Sequence, residues 1–273
     1  GLIDLYTKCE KLDDVEHMFR TARCMNQVTW GLIIFACVEG GKPHKALELF
    51  HQMQYTGMDP NSVTLMCAIK ACSIMGAIDK GVVLHHFVIE SGIESNLHVA
   101  NTLICMYSKW ARLEDAEKVF ISLQTRSAAT WNAMMAGCVH NNRCEMLYYY
   151  FNNMEHDVEW DAITFMCILS GYSHMGLVGE GLRHFQCMVR KHGIKVSPGH
   201  YNCIIDLLGR AGYLSSADDL LHSLPFQFDS VGHVALLGHC NLHGHRELGS
   251  RYLDYVVLEE GRNASGYMLL AGM

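Results

Sequence analysis

Side chains able to form hydrogen bonds and ion pairs recur at a fixed interval along this chain. Asn101 is followed by Asn202, and Lys109 by Arg210, in each case 101 residues later. An amide carries both a donor and an acceptor of hydrogen bonds, and a basic group attracts anions. The pattern indicates contacts repeated along a ligand rather than one catalytic centre.

The sequence lacks the motifs of an enzyme. A zinc deaminase needs an HxE motif and a CxxC pair. This chain has His245-Arg246-Glu247 but no CxxC, and we interpret the triplet as a coincidence. There is no phosphate-binding loop, and the 17 histidines have no ligand spacing. We therefore predict no catalytic residue, no metal and no cofactor in this segment, and no enzymatic activity.

Composition indicates a chain with a large buried core. Apolar residues make up 50% and charged residues 18% of the 273 positions. The 12 cysteines lie on apolar faces without close pairs, so we expect them to be reduced and buried. The net charge of −7 argues against binding nucleic acid over the whole surface, although a local basic stripe is compatible with it. No apolar run reaches the roughly 18 to 20 residues that span a bilayer, so we expect no membrane contact.

The interval of 101 residues divides into three similar parts of 35, 35 and 31 residues. Each part has a first helix with apolar residues three and four apart, a turn, and a second helix that ends near a Phe and a Met. Two antiparallel helices cannot bury their own apolar faces, whereas stacked pairs can. We therefore predict an all-α fold, a right-handed α-solenoid of stacked helix-turn-helix repeats that forms a tetratricopeptide-like superhelix with a long concave surface.

Local strings distinguish between families with this period. The chain contains VTWGLII, ATWNAMM, ALELFHQMQYTGMDPN, VANTLICMYSKWARLEDAEKVF and HYNCIIDLLGRAGYLSSADDLL. These strings resemble the units of plant pentatricopeptide-repeat proteins, and the alternation of lengths resembles the mixed-length class of that family. The resemblance covers essentially the whole chain.

The resemblance implies seven units and an extension motif. The units are a partial short one at 1–26, then 27–61 (standard), 62–96 (long), 97–127 (short), 128–161 (standard), 162–197 (long) and 198–229 (terminal short). Residues 230–273 resemble the extension motif that follows the last repeat in the RNA-editing subclass. His233 and Gly261 depart from that motif, which usually has Trp and Pro there.

The resemblance also implies which residues read RNA. In this family the fifth and the last residue of each unit together recognise one base of single-stranded RNA. The pairs are Gly31 with Asn61, Met66 with Asn96, Asn101 with Ser127, Asn132 with Asp161, Met166 with Ser197, and Asn202 with Asp229. The implied preference along the chain is any base, any base, a pyrimidine, uracil, any base and uracil. An asparagine near a helix start is also a common helix cap, and this alternative stays open.

Basic residues share one register on the first helices of the short units. Lys8, Lys109 and Arg210 would meet RNA phosphates there, or they would form an ordinary solvated surface. Bases would stack against the residue that follows each unit's first position, or these residues would only pack between repeats. They are Val28, Val63, His98, Ala129 and Ile163. We expect Thr29, Thr130 and Thr164 to mark helix starts.

For the whole protein, the resemblance implies site recognition in C-to-U editing of a mitochondrial or chloroplast transcript. The partners would be single-stranded organellar RNA and editing-complex proteins that bind through residues 230–273. The chain starts within a helical pattern and has no initiator Met, so we expect a fragment whose targeting segment lies upstream. A deaminase domain would follow it or be recruited.

Three alternatives remain open from sequence alone. The first is a non-editing role in organellar RNA processing, stability or translation. The second is a protein-binding helical solenoid, which the acidic balance favours. The third is a decayed gene copy, indicated by His233, Gly261, Glu10 and the run Tyr148-Tyr149-Tyr150.

Overall fold

The computed structural model describes residues 26–154, 158–223 and 230–260. These ranges contain fourteen α-helices and no β-strand, which confirms the all-α prediction. Contacts divide the chain into two units, residues 1–141 and 142–273. Lys8, Glu10, Asp229 and Gly261 lie outside the described residues, as does all but the last residue of the partial repeat at 1–26.

The first unit contains seven helices within its described residues. They are α1 (Gln27–Glu39), α2 (Pro43–Tyr55), α3 (Ser62–Met75), α4 (Ile78–Glu90), α5 (Leu97–Lys109), α6 (Leu113–Ser122) and α7 (Ala128–His140). Odd-numbered helices pack on the next odd-numbered helix, as α1 does on α3, α3 on α5 and α5 on α7. Helices α2 and α6 pack between the odd helix before and the odd helix after. Helix α4 packs on α3 and contacts α5 through Gly81 and His85.

The second unit repeats this arrangement. Its described helices are α8 (Cys144–Asn152), α9 (Ala162–Met175), α10 (Val178–Arg190), α11 (Pro198–Arg210), α12 (Leu214–Ser223), α13 (Ser230–Leu242) and α14 (Arg246–Glu260). Helix α9 packs on α11 and α11 on α13, while α10 and α12 pack between them. Each unit is thus a stack of helix pairs, and the predicted α-solenoid is the observed fold class.

Polar residues define where the first helix of each pair begins. Asn61, Ser127 and Asp161 each form a capping box with a threonine three residues later, the last of these with Thr164. The paired threonines Thr64, Thr130 and Thr164 are fully buried. Thr29 donates its backbone N–H to Asn26, so the prediction that these threonines mark helix starts is confirmed.

Glycines in the left-handed backbone region end several helices. Gly76 and Gly176 are the C-caps of α3 and α9, with φ of 65° and 67°. A residue with a side chain rarely adopts this conformation, so the two glycines reverse the chain into the second helix of the pair.

The core consists of side chains from the facing helices. In the second unit it includes Leu169 from α9, Ile205 from α11, Leu237 from α13 and Tyr252 from α14, all nearly inaccessible to solvent. None of the ten described cysteines forms a disulfide, and six of them are buried. The expectation of buried cysteines is wrong for Cys105, which is exposed on α5, and Cys144, Cys187 and Cys203 are only partly buried.

His233, a departure from the extension motif, lies within an aromatic cluster of the last helix pair. Its ring stacks on Tyr255 with centroids 5.4 Å apart and planes inclined by 14°. The ring of Tyr252 lies 5.8 Å away on the same side of the pair. The imidazole therefore packs as an aromatic ring between α13 and α14.

Candidate functional site

The fifth residues of α1 and α9 each face the start of the following helix pair. At Gly31 in α1, a Cβ would lie 3.8 Å from Val63 and 3.7 Å from Thr64 at the start of α3. At Met166 in α9, the sulphur would lie only 2.7 Å from a Cβ added to Gly199 at the start of α11. A ligand group at the fifth position would therefore also meet the second residue of the next pair.

Two asparagines at the fifth position have an acceptor without a protein partner. The Oδ1 atoms of Asn101 and Asn202 are buried, and neither accepts a hydrogen bond from a described residue. Burying an unpaired polar atom costs about 1–3 kcal/mol. Each side chain as a whole remains partly exposed. The arrangement provides an acceptor that a donor from a ligand would satisfy.

Asn132 differs from these two asparagines. It is only 3% exposed, beside the buried Trp131 on α7. It therefore needs more rearrangement to reach a ligand than Asn101 or Asn202 does. Asn101, Asn132 and Asn202 share the fifth position in sequence, but only Asn132 is fully buried.

Within the described residues, the last residue of a predicted unit lies at the N-cap of the helix that follows. Asn61 Oδ1 accepts the Thr64 backbone N–H at 3.0 Å, and Asp161 Oδ1 accepts that of Thr164 at 2.8 Å. Ser127 Oγ accepts the Thr130 N–H at 3.3 Å and lies 3.1 Å from the Thr130 hydroxyl. The capping alternative therefore holds for these residues. Any contact that they make with a ligand must use other atoms or replace a cap bond.

Exposed side chains occupy the second position of the first helices in both units. Val28, Val63 and Ile163 are 66%, 48% and 51% exposed, although all three are apolar. His98 and Ala129 at the same position are also exposed. Apolar side chains on a surface provide flat faces against which a planar ring can pack.

Of the three basic residues that share a register, the structure describes Lys109 and Arg210, and these two differ in their partners. Lys109 and Arg210 are the last residues of α5 and α11, and both are exposed. Arg210 Nε donates to Asp206 Oδ2 at 2.9 Å, whereas Lys109 forms no ion pair with any described residue. The shared register predicted from sequence is observed, but only Lys109 presents an uncompensated charge.

Asp206 is a functional candidate that sequence reasoning missed. Its Oδ2 also accepts the Ser173 hydroxyl at 2.5 Å, and its Oδ1 accepts His239 Nε2 at 2.9 Å. Its four-residue spacing from both Asn202 and Arg210 places all three on one face of α11, a signal available from the sequence. Ser173 and His239 lie 33 residues away on either side, and no local pattern indicates them.

The described residues form no group of three His, Cys, Asp or Glu side chains that could hold a metal ion. His245 precedes α14 and Glu247 lies in its first turn, so the HxE triplet straddles a helix start. Within the same residues, no helix is both long and apolar enough to cross a membrane.

Models of known protein families match this chain over segments that correspond to its helix pairs. The model of the PPR repeat family matches residues 25–73. The PPR repeat model matches residues 99–127, 129–157, 163–192 and 199–225. Together these matches cover more than half of the chain. The chain belongs to the pentatricopeptide-repeat family.

Two curated relatives of this pentatricopeptide-repeat chain are proteins of Arabidopsis thaliana. The putative pentatricopeptide repeat-containing protein At1g68930 is 31% identical over 100% of this chain and 37% of its own length. The chloroplastic protein CRR2 is 32% identical over 99% of this chain and 42% of its own length. The chain thus spans less than half the length of these relatives.

Solved structures share the fold at low identity. PPR10, a maize protein solved in complex with an 18-nt psaJ RNA element, is 16% identical, with a TM-score of 0.74 over 96% of this chain and 39% of PPR10. A tetratricopeptide repeat protein of Parabacteroides merdae is 13% identical, with a TM-score of 0.61 over 88% of this chain and 95% of that protein.

Proposed function

We propose that this pentatricopeptide-repeat chain binds single-stranded RNA and reads one base per repeat. The observation that carries the proposal is the pair of unsatisfied acceptors, Asn101 Oδ1 and Asn202 Oδ1, at the same position of two first helices. A pyrimidine offers a matching donor, the N3–H of uracil or the amino group of cytosine. Family membership and the RNA in the PPR10 complex support the same function.

Base stacking would add to hydrogen bonding. The fifth position borders the second residue of the next pair, as Gly31 borders Val63. The exposed side chains of Val28, Val63 and Ile163 would therefore each offer an apolar face to a base next to a reading position. The implied preference is unchanged: any base, any base, a pyrimidine, uracil, any base and uracil. Met66 and Met166 have no side-chain donor for a base edge, so their units would be permissive.

The reading pairs and unit boundaries belong to this proposal. The first helices begin at Gln27, Ser62, Leu97, Ala128, Ala162 and Pro198, where the predicted units begin. Asn61, Ser127 and Asp161 would support reading next to their cap bonds. The proposed roles of Asp229, which pairs with Asn202 by sequence, and of Lys8 rest only on their positions in the repeat.

For the longer protein we propose site recognition in C-to-U editing of an organellar transcript. The extension motif resembled by residues 230–273 supports this role, and the chloroplastic relatives support an organelle, chloroplast or mitochondrion. Editing-complex proteins would bind through the extension. A deaminase domain in the same chain or a partner would supply the chemistry, while this segment supplies recognition.

Selection from a library of short single-stranded RNAs at near-physiological salt tests base reading. The wild-type chain should enrich uracil at two positions two nucleotides apart. In the double variant Asn132→Thr plus Asn202→Thr, both preferences should move toward guanine. Asn152→Thr, a change of an exposed asparagine on the second helix α8, is the matched control and should select as the wild type does.

Two outcomes would count against the proposal. Selection of no RNA by the wild type would favour a protein-binding solenoid or a decayed copy. Identical selection by wild type and double variant would show that the chain binds RNA but that Asn132 and Asn202 do not read bases. A non-editing role is distinguished by sequencing transcripts from plants that lack the protein, because editing predicts one unedited cytidine just downstream of the selected site.

A further inference from the structure

The carboxylate of Asp206 lies between the proposed reader Asn202 and the basic residue Arg210 on α11. Asn202 is four residues before it and Arg210 four residues after it, so one helix face carries all three. Arg210 Nε donates to Asp206 Oδ2 at 2.9 Å. Arg210, the one lysine or arginine of this helix, is therefore already paired with an anion.

Donors from three helices hold this carboxylate in its charged form. Burial alone would raise the pKa of Asp206. Hydrogen bonds from His239, Ser173 and Arg210 outweigh burial and hold the pKa well below its ordinary value. Asp206 is therefore ionised throughout the physiological pH range. Because Ser173 and His239 belong to α9 and α13, the carboxylate is also fixed in position.

A fixed carboxylate changes what Arg210 can do for RNA. Affinity for a phosphate chain depends on counterions that unpaired cations release, and the slope of log affinity against log salt counts those contacts. The pair of Asp206 and Arg210 carries no net charge. A phosphate that approaches the guanidinium would also approach the carboxylate, which repels it.

The equivalent helix of the first unit lacks this carboxylate. There the register has Asn101, Cys105 and Lys109, and Cys105 is exposed. A thiol does not compete for the ammonium group of Lys109. The same spacing thus gives one helix with an unpaired cation and one helix with a compensated cation.

We propose that Asp206 withholds Arg210 from RNA phosphates, so that α11 contributes base reading without a phosphate contact. The inference rests on the proposed RNA binding. Asp206 is a positioning residue here, because it acts through Arg210. Removal of the Asp206 carboxylate should allow Arg210 to form one further phosphate contact.

The test measures affinity for one selected RNA over a salt series from 50 to 200 mM. Asp206→Asn, nearly isosteric, should steepen the slope by about 0.7, the value for one phosphate of a single strand. Over that range its affinity should fall by about threefold more than that of the wild type. Arg210→Gln should leave the wild-type slope unchanged, yet remove the added slope in the Asp206→Asn background.

A reciprocal variant covers the case in which Asp206→Asn disturbs the packing of Ser173 and His239. Cys105→Asp in α5 should capture Lys109 four residues on and flatten the slope by about 0.7. Selection of bases should not change in either variant, because Asn101 and Asn202 are untouched.

The outcomes separate this inference from the proposed function. A flatter slope for Arg210→Gln alone would overturn the inference, since Arg210 would then contact a phosphate despite Asp206. Unchanged slopes for both Asp206→Asn and Cys105→Asp would overturn it as well, with RNA binding intact. Failure of the wild type to bind any RNA would remove the proposed function, and this inference with it.

Discussion

Helices α5 and α11 are two versions of one sequence pattern, 101 residues apart, and their surroundings differ. Both carry an asparagine with a buried, unpartnered Oδ1 at the fifth position and a basic residue at the end. In α5 the residue between them is the exposed Cys105. In α11 it is Asp206, whose carboxylate accepts three hydrogen bonds. The comparison teaches that the reading position and the charge next to it vary independently.

The packing of these two helices against the preceding helix should give the largest contrast. A Cβ added to Gly81 on α4 would lie 2.3 Å from the Trp110 ring that follows α5 and 2.8 Å from Met106 Sδ. The rigid indole cannot yield, so Gly81→Ala should lower the free energy of unfolding by about 1–3 kcal/mol. Urea denaturation followed by circular dichroism measures the loss, and hydrogen exchange in α4–α6 locates it.

The matched change in the second unit is Gly181→Ala. A Cβ there meets Leu207 Cδ2 at 2.3 Å, which is the end of a flexible side chain. Rotation of Leu207 relieves the contact, and replacing glycine within a helix contributes up to about 1 kcal/mol. The stability should therefore change little. Equal losses for both variants would show that the indole and the leucine confine the two glycines alike.

Truncation of the two readers should have the next largest effect. Asn101→Ala and Asn202→Ala each remove an acceptor that would pair with a base, so affinity for the selected RNA should fall by about 1–3 kcal/mol. Each variant should lose the base preference at one RNA position. Asn101→Ala should lose it at the base read by unit 97–127, and Asn202→Ala at the base read by unit 198–229. Competition binding with single-base RNA variants measures both.

The salt dependence of binding is the control for these two variants. Neither change removes a charge, so the slope of log affinity against log salt should stay that of the wild type. A fall in affinity with unaltered base preference would mean that the asparagines support the helix instead of reading the base.

The fold could be predicted from this sequence more completely than the site. Helix starts are local, because a cap such as Asn61 and its partner Thr64 lie within four residues and precede an apolar repeat. The burial of Asn132 compared with Asn101 could not be predicted, since both have the same residue type and register. Their difference depends on how neighbouring helices pack.

Asp206 shows where local reasoning ends. The ion pair with Arg210 follows from a spacing of four residues in a helix. The bonds from Ser173 and His239 each join residues 33 apart in sequence, one helix pair away. They require the stacking register of the pairs, which composition and periodicity do not provide. For this reason the role that we propose for Arg210 differs from the phosphate contact that its register predicts.

The N-caps of α5 and α11 should differ by a smaller amount. Asn96 accepts the backbone N–H groups of His98 and Val99, so Asn96→Ala should cost about 1 kcal/mol of stability. At α11, Pro198 has no N–H to satisfy. Ser197 Oγ lies 2.7 Å from His200 Nδ1, but the Ser197 backbone N–H also donates to that nitrogen, at 3.1 Å, and remains in an alanine variant. Ser197→Ala should therefore cost less. Thermal denaturation of the two variants checks the order, and a larger loss for Ser197→Ala would reverse it.

The unpaired cation of α5 should have the smallest effect on affinity. Lys109→Gln removes one phosphate contact, so the salt slope should flatten by about 0.7 while base preference stays intact. The expected loss is below about 1 kcal/mol at physiological salt, because an exposed charge in water interacts weakly. Arg210→Gln is the matched variant of α11, and its slope should not change. If the two variants flatten the slope equally, Asp206 does not distinguish the helices, and the comparison reduces to the identity of the bases read.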